Sequence, residues 1–155
     1  MLVTLPAFAG DLPDPRTTPG AIDHGVTQDN IHRTICVEGW TRTVRPPTEY
    51  TRRLKLRQIG PGADPADYEE DHLIPLALGG AARSPRNLWP QRWRGRWGAY
   101  TKDRLELKLR GLVCADRLPL AEARRAIARD WIAAYRRFCP GREDCPSYRE
   151  LQGSD

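Results

Sequence analysis

YEEDHLIPLALGGAARSPRNLWPQRWRGRWGAYTKDRLE, residues 68–106, carries the pattern of two strands followed by a helix. Tyr68 to Leu73 reads as a strand, and Ile74-Pro75 with Gly79-Gly80 ends it in a turn. A polar loop leads to Asn87, and Leu88-Trp89 reads as the returning strand. From Gly98 to Arg110 the pattern is helical, with Leu105, Leu109 and Leu112 on one side and Gly111 as the expected terminator. Neighbouring residues on a strand point to opposite faces, so Asp71 and His72 suit two different tasks. The economical division makes Asp71 a ligand for a hard divalent cation and His72 the base that takes a proton from water. An imidazole fits that task because its unperturbed pKa, about 6.5, leaves much of it neutral near pH 7.

Taken together, D-H-L-I-P-L-A-L-G-G at 71–80 and R-N-L-W-P at 86–90 resemble the HNH endonucleases, the ββα-metal nucleases, and among them the small exported bacterial subset. The resemblance spans roughly residues 67–110. It implies that His72 activates the water that attacks a phosphodiester, that Asp71 holds the cation, and that Asn87 braces His72 by hydrogen bonds. The family's third signature residue is His or Asn on the helix, yet no His or Asn follows Asn87 in this chain. Asp103 and Glu106 are the available substitutes, three apart on one helical face, with Asp103 preferred as the second ligand. The plainer alternative is that both acids pair with Lys102, Arg104 or Arg110 on a solvated helix. No acid lies between residues 81 and 102, where Arg83, Arg86, Arg92, Arg94, Arg96 and Lys102 alternate with Trp89, Trp93 and Trp97. Arg94, Arg96 and Lys102 are the expected phosphate contacts, and an exposed indole suits stacking on an unpaired base.

Length and composition set the frame for this motif. A chain of 155 residues is the size of one ordinary domain. The formal net charge is +5, while residues 1–50 carry 4 basic and 6 acidic side chains, so the positive surplus lies in the remainder. A basic surface favours a polyanionic partner such as nucleic acid. No run of 18 apolar residues occurs, which excludes a spanning helix. The opening MLVTLPAFA ends in the small-x-small pattern Ala7-Phe8-Ala9 without a basic start, and reads as the end of a truncated secretion signal. Cys36, Cys114, Cys139 and Cys145 form no C-x-x-C pair, which argues against a zinc knot and for two disulfides. Of the three possible pairings, Cys139 with Cys145 and Cys36 with Cys114 is favoured. Disulfides support the expected export to a secreted or periplasmic location.

Outside the motif, residues 10–26 are rich in Pro and Gly and predict a loosely ordered entry. Thr27 caps a short helix beginning at Gln28, Trp40 to Val44 reads as extended, and Thr48 caps a helix with Tyr50, Leu54 and Leu56 facing inwards. Leu120 to Phe138 is a strongly amphipathic helix with a core stripe of Ala123, Ile127, Trp131, Ala134, Tyr135 and Phe138. The expected organisation is a signal remnant and entry over 1–26, an HNH-like domain over 27–140 with its motif at 67–110, and a tail over 141–155. The expected fold class is α+β, a ββα-metal hairpin-plus-helix element packed among several helices and stapled by disulfides. The expected function is metal-dependent hydrolysis of nucleic acid, DNA before RNA and with little sequence specificity, by a monomer. Mg2+ is the default ion, with Mn2+, Ni2+ and Zn2+ as alternatives, and an immunity protein is left open. The competing classes are a nucleic-acid-binding module without turnover and a secreted interaction domain for acidic cell envelopes.

Overall fold

In the computed structural model, which describes residues 11–147 and 149, the hairpin is the centre and helices enclose it. In chain order come a 3-10 turn Gln28–Arg33, α1 Trp40–Val44, α2 Thr48–Gln58, a 3-10 turn Pro65–Asp67, β1 Tyr68–His72, a 3-10 turn Leu76–Leu78, β2 Leu88–Arg92, α3 Ala99–Cys114, α4 Leu120–Phe138 and a 3-10 turn Arg142–Asp144. The class is α+β, with a two-stranded antiparallel sheet. The expected signal remnant lies outside the described residues except for its extended entry.

β1 and β2 pair with Glu69 opposite Gln91, Asp71 opposite Trp89 and His72 opposite Leu88. An isolated two-stranded hairpin is marginal in water. This one is held by its loop and by the helices around it. Asn87, fully buried, accepts from the Ile74 N–H through Oδ1 at 2.9 Å and donates through Nδ2 to the carbonyls of Ile74 at 2.9 Å and Ala81 at 3.2 Å. Gly79 has φ 71°, and a Cβ on Gly80 would lie 1.8 Å from the Ile74 carbonyl oxygen, so the loop closes only with glycine at both positions.

α3 presents Leu105, Leu109 and Val113, all 0% exposed, to the stripe of Ala123, Ile127, Trp131 and Ala134 on α4. Burying each of the larger side chains contributes about 1.5–3 kcal/mol. Gly111 does not stop α3: the helix runs on through Val113 to Cys114, because that last turn carries a core side chain and the Cys36 bridge. The two disulfides are Cys36–Cys114 and Cys139–Cys145, 78 and 6 residues apart in sequence. The long bridge ties the chain just after the first 3-10 turn to the end of α3.

Five local expectations are corrected. Trp40–Val44 is a helical turn, entered at Gly39 with φ 75° and stopped at Arg45 by the following prolines. Pro47, not Thr48, is the residue before α2, and Leu56 is exposed on it while Leu54 is buried. α4 is broken at Asp130, whose φ of −164° is extended; its carboxylate accepts from the Ala133 N–H at 2.9 Å and so caps a second helical segment. The entry is tied down as well: Ile22 bridges Gly80, and the Trp131 indole donates to the Asp11 carbonyl at 2.8 Å. No helix among the described residues is long and apolar enough to cross a membrane.

Candidate active site

Strand alternation sorts the acidic run of β1 onto two faces. Glu69 and Asp71 share one with Trp89 and Gln91; Glu70 and His72 share the other. The first face meets Lys102, in the opening turn of α3. Lys102 is fully buried, and its ammonium lies 2.8 Å from Asp71 Oδ2 and 2.5 Å from Glu106 Oε1 while donating to the His72 carbonyl at 2.8 Å. All three ammonium protons have an acceptor. The Trp89 indole donates to the same Asp71 Oδ2 at 3.2 Å.

This overturns the sequence expectation for Lys102. It is not a phosphate contact, because no part of it reaches solvent. Burial alone would lower its pKa, but the facing Asp71 and Glu106 carboxylates reverse that and hold the amine above the usual lysine range. Glu106 is accordingly half of an internal ion pair, the plainer of the two alternatives considered for it. Burial pushes its carboxyl up and Lys102 pulls it down. The 2.5 Å contact to a buried ammonium favours the ionised form.

Asp103, one residue on, is exposed and stands in no ion pair among the described residues. Its carboxyl is raised to about 6 by local withdrawal from water and by the Asp71 charge, against the pull of Lys102 and Arg45. Glu69 is raised to about 8, first by burial and then by Asp71, Asp103 and Glu106. Burial and the Asp71 charge likewise raise Glu70 to about 8. Glu69 Oε2, both Glu70 carboxyl oxygens and Gln91 Oε1 are buried without a hydrogen-bond partner among the described residues.

On the second face, His72 keeps 8% of its surface exposed. Its Nε2 lies 2.9 Å from the Ala82 carbonyl oxygen. A carbonyl only accepts, so Nε2 carries the proton and a neutral ring has its lone pair on Nδ1. Burial lowers the pKa of His72, and the Ala82 bond and Asp71 only partly oppose this. Asn87 acts at one remove. It makes no bond to the imidazole; it pins Ile74 and Ala81, the two ends of the loop segment that brings Ala82 to His72.

Compared with family models, curated proteins and solved structures, the chain has no match. The chemistry of the site therefore rests on its own geometry.

The donors on the Asp71 face are oxygens with a surplus of negative charge, which suits a hard divalent cation rather than a soft one. The orphaned Glu69 Oε2 points the same way. They do not form a finished cage: among the described residues no three His, Cys, Asp or Glu side chains converge as a metal site. Arg94 and Arg96 are exposed, as a phosphate contact requires, and Arg96 lies 5.2 Å over the Trp97 ring. The indoles divide: Trp89 is buried, Trp97 packs edge-on against Trp131 and Tyr135, and Trp93 lies beside Tyr100. Sequence reading missed Glu69 and Gln91. Their signal was the period of two on a strand, which places Glu69 beside Asp71.

Proposed function

We propose that the chain is an exported, metal-dependent endonuclease of the HNH type, which hydrolyses phosphodiester bonds in nucleic acid with DNA favoured and little sequence specificity. The observation that carries this reading is the His72–Ala82 contact of 2.9 Å. It fixes the tautomer, and burial keeps the ring neutral, so Nδ1 is a ready proton acceptor for an attacking water. The two disulfides fit an oxidising compartment. The hairpin followed by α3 fits the ββα element that the motif implies.

Asp71, through Oδ1, and Asp103 are the residues that would hold a magnesium-like ion, with Glu69 next to them. Once bound, the ion supplies charge stabilisation for the scissile phosphate and the departing oxygen. Lys102 orients Asp71 from behind, and through the His72 carbonyl it ties the base to the acid. Arg94 and Arg96 provide exposed positive charge for the flanking phosphates. Incubation of the purified protein with plasmid DNA, with single-stranded DNA and with a panel of divalent ions tests the reading: cleavage that chelator abolishes supports it, and both substrates intact under every ion removes it.

The Lys102 contacts favour a second reading. An ammonium already paired with Asp71 and Glu106 is also what a nucleic-acid-binding module without turnover would carry. That reading predicts DNA binding that persists in chelator with no cleavage under any ion.

A further inference from the structure

A pocket of about 320 Å³ lies beyond the open end of the hairpin, lined by Ala66, Asp67, Arg92, Trp93, Arg94 and Tyr100. None of these residues belongs to the Lys102 network or to the His72 loop. Tyr100 stands in the first turn of α3 with 62% of its surface exposed, the most exposed large hydrophobic side chain among the described residues. Trp93 is beside it, ring centroids 5.6 Å apart and planes inclined by 34°. Arg92 and Arg94 are both exposed at the same opening, and the Arg92 guanidinium lies 5.0 Å over the Tyr68 ring.

An exposed aromatic ring in one pocket with two arginines offers what one unpaired nucleotide requires. The ring stacks on a base of any sequence, and arginine meets the phosphate on either side. A duplex cannot use this surface, since its base faces are already stacked on one another. Asp67 adds a discrimination. A carboxylate in the pocket repels a bare phosphate, but as an acceptor it suits a donor on a base edge. Cytosine, adenine and guanine carry an amino group; thymine does not.

We propose that this pocket is a nucleotide subsite that stacks an unpaired base on Tyr100 and Trp93, takes its phosphates on Arg92 and Arg94, and prefers an amino-bearing base through Asp67. Arg92 pairs with Tyr68, and Tyr68 precedes His72 on β1 by four positions on the same face, a separation of about 13 Å at roughly 3.3 Å per residue. A strand held in the pocket is thus brought close to His72. That consequence rests on the nuclease reading, whereas the binding itself does not. The substrate class it implies is single-stranded or locally unpaired nucleic acid.

The test is fluorescence anisotropy in chelator with short labelled oligonucleotides of deoxycytidine, of thymidine and of mixed-sequence duplex. The parent binds the deoxycytidine strand several-fold more tightly than the thymidine strand, and binds the duplex most weakly. Tyr100→Ala weakens the deoxycytidine complex about tenfold, Tyr100→Phe restores it, and Asp67→Ala equalises the two single strands. Duplex bound as tightly as single strand, Tyr100→Ala indistinguishable from the parent, or competition by an acidic peptide as effective as by thymidine strand, overturns the proposal. Hydrolysis of a small chromogenic phosphodiester by the parent is measured separately. Its absence alongside the expected binding pattern removes the nuclease reading and leaves the subsite standing.

Discussion

The Lys102 ammonium lies 2.8 Å from the Asp71 carboxylate, buried where the side chain reaches from α3 to β1. One ammonium thereby satisfies an acid of the hairpin, an acid of its own helix and the carbonyl of the proposed base. Removing one partner of a buried pair leaves an uncompensated charge, a loss of about 3–5 kcal/mol. Lys102→Ala is therefore expected to lose that much stability in urea denaturation. Lys102→Met with Glu106→Gln, which removes one of the stranded carboxylates, is expected to lose less than Lys102→Ala alone.

Stability is expected to fall as pH rises in chelator-treated buffer. Glu69 and Glu70 are each raised from 4.5 to about 8 in the folded protein. Between those values the native state binds more protons than the unfolded chain, so its stability declines with increasing pH. The contribution is fully present below about pH 4.5 and is lost as pH climbs through about 8. Melting temperatures taken at pH 5 and pH 8 check this, with the higher value at pH 5. Glu69→Gln combined with Glu70→Gln flattens the difference.

Divalent cations are expected to act in the opposite sense. Ions that bind the folded state alone stabilise it by mass action, and ligands must be deprotonated to bind. Added Mg2+ should raise the melting temperature at pH 8, by about 2–4 °C for each kcal/mol of binding, and have little effect at pH 5. Asp103→Asn should abolish most of the rise, because Asp103 is the helix carboxylate that Lys102 leaves uncommitted.

The legible parts of this molecule were those governed by local rules. The hairpin followed from Pro75, Gly79-Gly80 and Asn87, since a Cβ at Gly80 has no room against Ile74 and only an asparagine side chain closes that loop with both an acceptor and a donor. The cysteine pairing followed from spacing and from the lack of a metal-binding pattern. What escaped depends on tertiary contact. Lys102 looked like one more cation in a basic run, and nothing local shows that its helix turns it inward beneath Asp71. Gly111 carried a stop signal that the core position of Val113 and the bridge at Cys114 overrode. Asp130 carried no sign of a break, although its capping bond to Ala133 restarts the helix.

In the proposed reaction His72, neutral and held through Nε2, takes a proton from water through Nδ1. Single-turnover cleavage of DNA under saturating divalent ion, followed across pH for the parent and for His72→Ala, tests it most directly. The parent's rate should rise with pH through a midpoint below the ordinary histidine value of 6.5, and His72→Ala should fall about 10²–10⁴-fold and lose that acid limb. A His72→Ala variant that cleaves at the parent's rate with the same pH profile would rule out His72 as the base.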